Sequence, residues 1–509
     1  MGALVLWEVS RKQDYIFSSN KLKENIGASI IIDKVTTELP FTINKSYEEN
    51  EVYSGGGSSL YSFKDGDKEK EFGKARDFVK AVSEKILRDY PGIEVFMVIE
   101  EYDDNKKKVT DAIDEAYVKL AKKKNKRSKS GQQLSFGIEK LCSSTGLPAE
   151  FVYEEPDEKE RLISFETKVK IDHSKNNYKK FQNLIPVGYR FPKKFSDLVK
   201  GEKSYLSVVH IDGNRMGKLF DEIKHHFEYS NDEFSKKNQE YLENLKRFSK
   251  DIAETYLDTF KEMSNFIEKN KAKIKDFTMI DEGLFPIIPI IVAGDDITYV
   301  TNGKIGIETA RIFLERLIEK QILVYGDKKV SLNACAGIAI AKVSNSFSKT
   351  YELAEDLCSS SKARLLKDCG DKDYSLIDWH IEQGDLLGRI SEIRREHYKV
   401  QNGKELNMRP LYINNNGNWR NYKNFRSAYF NMAKREIEGE LIARSKLKKL
   451  KEVLKKGEAD TKLFLESNKI QNYFSRFDDT NGEYCFDNDG NCMYYDVIEA
   501  MDLYVELEG

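Results

Sequence analysis

The sequence predicts an α+β fold made of two ferredoxin-like units and a helical C-terminal domain. Three observations predict it. The order strand, helix, hairpin, helix, strand occurs within residues 1–125 and again within 201–385. Each hairpin turns on glycine, Gly55-Gly56-Gly57 in the first unit and Ala293-Gly294-Asp295-Asp296 in the second. From about residue 386 to 509 the chain reads as charged helix.

The first unit opens with the strand-like run Ala3 to Val9. Gln13-Asp14-Tyr15-Ile16-Phe17 follows, then a helical stretch through Gly27-Ala28-Ser29 toward Leu39. Glu51 to Phe63 reads as strand, glycine turn, strand. A charged helix from about Lys68 to Arg88 leads into a further strand, Gly92 to Ile99. A connector over 126–200 contains Cys142-Ser143-Ser144-Thr145-Gly146 and is entered through a basic loop, Lys122 to Lys129.

In the second unit, Tyr205 to Ile211 is a buried strand ending at Asp212-Gly213-Asn214, and a helix begins near Met216. Residues near 225–275 are spaced like an exposed helical hairpin, with Phe248, Ile252, Tyr256 and Phe260 along one face. The stretch IPIIVAGDDITYV, ending near Thr301, is two buried strands joined by a tight Gly-Asp turn. A helix over 304–321, a strand from Val330 to Ile340 and a helix from Ser348 to Leu366 close the unit.

The carboxylates carry the chemistry. Asp295 and Asp296 are adjacent at a hairpin tip, where they repel each other unless a cation lies between them. Asp212 ends a neighbouring strand and adds a third carboxylate. Three acids on one sheet edge are what a two-metal phosphoryl-transfer site requires, with Mg²⁺ or Mn²⁺ as the expected ions and a nucleoside triphosphate as their client. DG and GDD are common turn tokens singly; their joint placement after apolar strands of one unit carries the reading. The first hairpin has no acid and cannot hold metal the same way. Its Gly55 to Gly57 offer bare N–H groups to a phosphate or nucleotide, and a plain glycine-rich hairpin fits those residues equally well.

Composition narrows the field. The chain has 509 residues, is 40% hydrophobic and 33% charged, and carries a net charge of −2, which argues against a generally basic nucleic-acid coat. No apolar run reaches membrane-span length, and charge arrives too early for a signal peptide. Six scattered cysteines without a CxxC pair fit a reducing cytoplasm, and the six histidines form no HxxxH motif, so a histidine metallohydrolase is not expected.

HIDGNRMG at 210–217, AGDD at 293–296, the upstream GGG hairpin and QDYIFSSNKLKENIGAS at 13–29 together resemble the CRISPR polymerase family. That family comprises the palm-domain large subunit of type III CRISPR effectors and its stand-alone relatives, and is related to GGDEF-type cyclases. The resemblance spans most of residues 1–385. It implies two palm (nucleotide cyclase-type) domains packed as a pseudo-dimer with ATP between them, the first degenerate and the second catalytic. It implies catalytic roles for Asp212, Asp295, Asp296 and Lys362, the last on the final palm helix within SSSKARLLK. The Gly213 carbonyl joins Asp212, Asp295 and Asp296 as a metal ligand. Amides of Gly213, Asn214, Met216, Gly217 and Gly294 face phosphates, and a second nucleotide lodges near Gly55, Gly56, Gly57 and Ser58.

The implied activity is condensation of ATP into a cyclic oligonucleotide messenger with release of pyrophosphate, in antiviral defence. The alternatives are a cyclic dinucleotide synthase and a scaffold subunit. The implied partners are ATP, GTP or another acceptor, CRISPR effector subunits, and guide or target RNA, with no membrane and with oligomeric state left open. Family members often begin with a histidine-aspartate nuclease domain and carry a four-cysteine zinc site. Nothing precedes the first palm here and Cys142 stands alone, so neither DNase activity nor structural zinc is expected.

Overall fold

The structure, a computed structural model, describes residues 2–64, 68–126, 137–154, 160–175, 181–201, 204–227, 234–370, 372–382, 384, 388–401, 403–415, 417–437, 441–477 and 485–508. Part of the basic loop, 127–129, lies outside the described residues.

The first sheet contains β1 (Gly2–Ser10), β2 (Glu51–Gly55), β3 (Ser58–Phe63) and β4 (Glu94–Tyr102) in the order β2-β3-β1-β4, with every pairing antiparallel. Ala3 to Trp7 are buried without alternation, as befits a central strand covered on both faces. The helix Lys68–Asp89 lays Ala75, Phe78, Val82 and Ile86 into the core at helical spacing. A small hairpin in the connector, β5 (Phe151–Tyr153) and β6 (Arg161–Ile163), follows. Next to it Cys142 is buried and shares a hydrogen bond with Thr167 Oγ1 at 3.3 Å.

The second sheet repeats the first and extends it. It contains β7 (Tyr205–Gly213), β8 (Ile287–Ala293) and β9 (Asp296–Asn302). A side hairpin, β10 (Gln321–Tyr325) with β11 (Lys328–Ser331), precedes β12 (Ala334–Lys342), β13 (Leu376–Ile381) and β14 (Leu411–Tyr412). The order is β14-β13-β12-β7-β9-β8, so β8-β9-β7-β12 repeats the first sheet's connectivity. β13 runs parallel to β12, and β14 joins the sheet from beyond residue 385.

Two expectations change. The segment near 225–275 is not an exposed helical hairpin. Phe234–Lys269 is one continuous helix of 36 residues, roughly 54 Å long at 1.5 Å per residue. Phe248, Ile252, Tyr256 and Phe260 belong to a buried face that starts at Tyr241 and ends at Ile267. That face packs on the helix Gly306–Ile318 and also reaches β2 of the first unit. Its start is tied to the first unit by Asn238, which donates to Asp104 Oδ1 at 3.0 Å and accepts from Val109 N at 2.7 Å. The expected strand from Val330 to Ile340 is also broken in two. Asn333 sits at the break and accepts from Ser375 Oγ and Asn414 Nδ2 at 3.2 and 3.0 Å, so the chain leaves the side hairpin there and enters the main sheet.

The units meet through residues 13–20 and the helix Phe347–Cys369. Phe17 stacks on Tyr351 with ring centroids 3.7 Å apart, and Gln13 Nε2 donates to Glu355 Oε1 at 2.9 Å. Of the C-terminal helices, Ile390–His397, Tyr422–Ala433, Arg444–Leu454, Glu458–Ser467 and Tyr495–Ala500, the first two reach β13, where Arg394 pairs with Asp378 and Phe425 packs on Trp379, and Tyr495–Ala500 packs on Tyr422–Ala433 and Arg444–Leu454. Buried Glu308 anchors this region by accepting from Tyr422 OH at 2.6 Å and Leu507 N at 2.9 Å. Among the described residues no helix is long and apolar enough to cross a membrane.

Candidate nucleotide and metal site

Antiparallel pairing of β7 with β9 places Asp212 directly opposite Asp296. The turn between β8 and β9 consists of Gly294 and Asp295, with Ala293 paired to Asp296. Gly294 adopts φ +63°, which a glycine adopts without strain. Gly213 N–H donates to Asp295 O at 3.2 Å, drawing the tip over the end of β7. A Cβ on Gly213 would lie 2.7 Å from Asp295 Oδ2 and 2.9 Å from Asp295 Cβ, so glycine lets the Asp295 side chain approach this closely. The sheet thereby brings all three sequence-predicted carboxylates to one edge.

The crowding is electrostatic as well as steric. Burial, followed by the charge of Asp212, raises Asp295 to about 6 and Asp296 to about 7. Asp296 Oδ1 is buried and has no hydrogen-bond partner among the described residues. His210 Nδ1 lies 3.6 Å away, but burial holds His210 below its usual range, so it faces Asp296 as neutral imidazole and shares a 3.0 Å hydrogen bond with Thr298 Oγ1. Cationic charge comes from two lysines. Lys362 donates to Asp212 Oδ2 and, at 3.1 Å, to the Gly213 carbonyl. Burial works to lower the Lys362 pKa, yet the Asp212 carboxylate outweighs it and holds it raised. Lys12, on the first unit, exerts its charge on Asp296 from the other side.

An orphaned carboxylate oxygen and repelling acids suit a cation, while the Lys362 ammonium already grips Asp212 Oδ2 and the Gly213 carbonyl on the β7 end. Among the described residues, no three or more His, Cys, Asp or Glu side chains are arranged so that they could hold a metal ion as they stand.

A cavity of about 980 Å³ opens beside the carboxylates. Gly55, Gly56 and Ser58 of the first hairpin line it, together with Met216, Gly217, Ala293, Gly294 and Asp295 of the second unit. The helix Met216–His226 starts at this wall, and among the described residues no side chain caps it, so its first-turn N–H groups suit an anion. Two other predicted amides are committed elsewhere. Gly213 N–H goes to Asp295 O, and Asn214 N–H goes to Asn333 O at 2.9 Å. Asn214 also donates from its side chain to Asp373 Oδ1 and Tyr374 O, so it braces the loop instead of facing phosphate. Gly57 lines a smaller cavity of about 70 Å³ with Lys12, Asp33 and Asp296.

Sequence reasoning missed Lys12 and the far wall of the large cavity, which Tyr53, Tyr117, Tyr241 and Lys246 contribute to. Tyr53 and Tyr117 share a hydroxyl hydrogen bond of 2.7 Å. Nothing in the residues around Lys12 marks it, because its partners lie on a distant hairpin.

Gly337 sets the height of the Lys362 helix over the sheet. A Cβ there would run into the Ala354 carbonyl oxygen and the Cys358 nitrogen, both on that helix. Gly337→Ala is expected to cost about 1–3 kcal/mol by overpacking and to lower the thermal midpoint by several degrees in a melting experiment. A midpoint within 1 °C of the parent, as an order-of-magnitude threshold, would contradict this packing.

No family model and no curated protein matches the sequence. Solved structures do match. Csm1 of T. onnurineus superposes with a TM-score of 0.53 at 14% identity, over 99% of this chain and 69% of that one. The Csm1-Csm4 cassette in complex with pppApA gives 0.51 at 13% identity, over 99% and 69%. The same cassette with AMPPNP gives 0.50 at 14% identity, over 93% and 64%. The chain thus spans 64% to 69% of the length of these solved chains. With its repeated sheets and the pairing that joins Asp212 to Asp296, the protein has the Csm1 fold.

Proposed function

We propose that this protein is a nucleotidyltransferase that condenses ATP into a cyclic oligoadenylate with release of pyrophosphate, as a subunit of a CRISPR-type antiviral effector. The observation that carries the reading is the 980 Å³ cavity walled by both glycine hairpins, with Asp295 on its wall and the paired Asp212 and Asp296 next to it in the sheet. Its size lies at the upper end of the roughly 300–1,000 Å³ of small-molecule sites, which suits more than one nucleotide. Two structures of the same fold hold adenine nucleotides by name, pppApA and AMPPNP.

Asp212, Asp295, Asp296 and the Gly213 carbonyl would hold Mg²⁺ or Mn²⁺. Such an ion, when bound, lowers the pKa of an attacking hydroxyl and neutralises charge on the departing pyrophosphate. The chain's own groups do the rest. The first-turn amides at Met216 and Gly217 orient the triphosphate of one nucleotide. Gly55, Gly56 and Ser58 offer a close backbone shelf for the second, whose ribose hydroxyl then lies in line. Lys362 holds Asp212 in place and supplies positive charge beside the phosphates. Csm4-like effector subunits and guide or target RNA are the proposed partners of the complete assembly.

The test is product analysis. Purified protein incubated with ATP or with GTP, each with Mg²⁺ or Mn²⁺, is expected to release pyrophosphate and to yield cyclic oligoadenylate by mass spectrometry. A cyclic dinucleotide formed from GTP alone would move the assignment to a diguanylate-type cyclase. No pyrophosphate from either nucleotide, with either ion and with effector RNA supplied, would overturn the enzymatic reading.

A further inference from the structure

We infer that Lys12 is a positioning residue that locks the glycine hairpin of the first unit against the acidic edge of the second, and so shapes the shelf for the second nucleotide. The inference rests on reading the large cavity as a nucleotide site.

Three successive glycines give a hairpin tip little conformational preference of its own. Gly55, Gly56 and Gly57 adopt φ of +153°, +60° and +81°, and a tip of this kind samples many states unless something holds it. Two contacts hold it here. Val9 N–H donates to Gly57 O at 2.7 Å, which ties the tip to β1. The Lys12 ammonium donates to the Gly56 carbonyl and lines the small cavity, not the large one. Its aliphatic stem lies against Gly57 so closely that a Cβ on that glycine would overlap Lys12 Cδ.

Gly57 meets two constraints, a φ of +81° that favours glycine and a Lys12 stem that occupies the space of a side chain. Gly55 and Gly56 have open space where a Cβ would go, so steric crowding does not demand glycine at those two positions. The same small cavity is lined by Asp296, so the lysine that fixes the first hairpin also faces a carboxylate of the second. One side chain registers the shelf of one unit to the acids of the other, across two sheets that share no strand.

Loss of the ammonium should therefore loosen the shelf without touching the triphosphate wall at Met216 and Gly217. Lys12→Met keeps most of the stem and removes the donor. Gly57→Ala keeps the ammonium and displaces the stem. Both are read by calorimetric titration with AMPPNP and Mg²⁺, with circular dichroism to confirm folding.

The parent is expected to bind two nucleotides per chain. Each variant should weaken one of them by about tenfold or more, Lys12→Met through the lost charge-assisted hydrogen bond and Gly57→Ala through the displaced stem and a side chain at φ +81°, and affect the other much less. Lys12→Arg, which retains a donor, should recover part of the loss. Equal weakening of both sites, no change at either, or a single site in the parent overturns the inference. Pyrophosphate release separates it from the wider reading. Turnover by the parent with two unchanged sites in Lys12→Met leaves the enzyme and sinks the lock. Lys12-dependent binding without any turnover sinks the enzyme and leaves the lock.

Discussion

Replacing Asp295 and Asp296 together by asparagine is expected to lower pyrophosphate release from ATP about 1,000-fold or more while making the protein more heat-stable at pH 7.5. The activity loss follows from removing two of the three proposed anionic ligands for a cation whose charge stabilisation is worth several kcal/mol, with about 1.4 kcal/mol for each factor of ten. The stability gain follows from the sign of the titrations. Both acids are raised above 3.8, to about 6 and about 7, by burial and by Asp212. Between those values and the unfolded value the folded state holds more protons than the unfolded state, so stability falls as pH rises through this window.

In the absence of divalent ions the parent should thus lose stability from pH 5 to pH 7.5, and the asparagine variant should show a flatter profile. Added Mg²⁺ should raise the melting midpoint of the parent at pH 7.5 and leave the variant nearly unmoved, because binding to the folded state alone stabilises by mass action. Melting curves at both pH values, with and without Mg²⁺, check this. Identical pH slopes for parent and variant would show that the two acids are not strained.

The opposition of these two effects has a structural origin. A sheet edge that gathers Asp212, Asp295 and Asp296 within one hairpin register is a poor place to fold and a good place to bind a cation. Asp296 Oδ1, buried without a hydrogen-bond partner among the described residues, is the clearest sign of that strain.

Most of the scaffold was legible because its strands carry their burial in the sequence. Ala3 to Trp7 and Ile287 to Ala293 are apolar stretches, Leu206 to Ile211 is apolar but for Ser207 and His210, the last two stretches run into Gly-Asp or Asp-Gly turns, and the order of elements repeats. The acids were legible because Gly294 and Gly213 punctuate strand ends. What was not legible depends on partners far along the chain. Asn214 looks like a phosphate-binding loop residue until β12 brings Asn333 to accept its N–H. Lys12 acquires meaning only through Gly56, 44 residues away. The helix Phe234–Lys269 is hard to read as one buried element because polar residues dominate it, although its apolar residues keep helical phase from Tyr241 to Ile267 without a break.

The second large effect concerns the attachment of the C-terminal region. Arg409 is fully buried, with its guanidinium in ion pairs with Asp496 Oδ1 at 3.0 Å and Glu499 Oε2 at 2.8 Å. Its other amino group donates to the carbonyl of Trp379 on β13. One cation therefore bridges β13 of the second sheet and the helix Tyr495–Ala500. Asp496 is further fixed by the N–H groups of Met408 and Arg409, at 2.7 and 2.9 Å.

Arg409→Met removes the cation and leaves two carboxylates in a site without water's solvation, at a cost of about 3–5 kcal/mol. A loss of that size should lower the thermal midpoint by roughly 6 °C or more. The decisive comparison is a triple variant in which Arg409→Met is combined with Asp496→Asn and Glu499→Gln. If uncompensated charge is the cause, neutralising both acids should recover at least about half of the lost midpoint, since burying neutral groups costs far less than burying charges. If the triple variant melts as low as the single one, the arginine acts through packing against Trp379 and Tyr398, whose rings lie 5.0 and 5.5 Å from its guanidinium, and the ion triad is not what holds the C-terminal helices to the sheet.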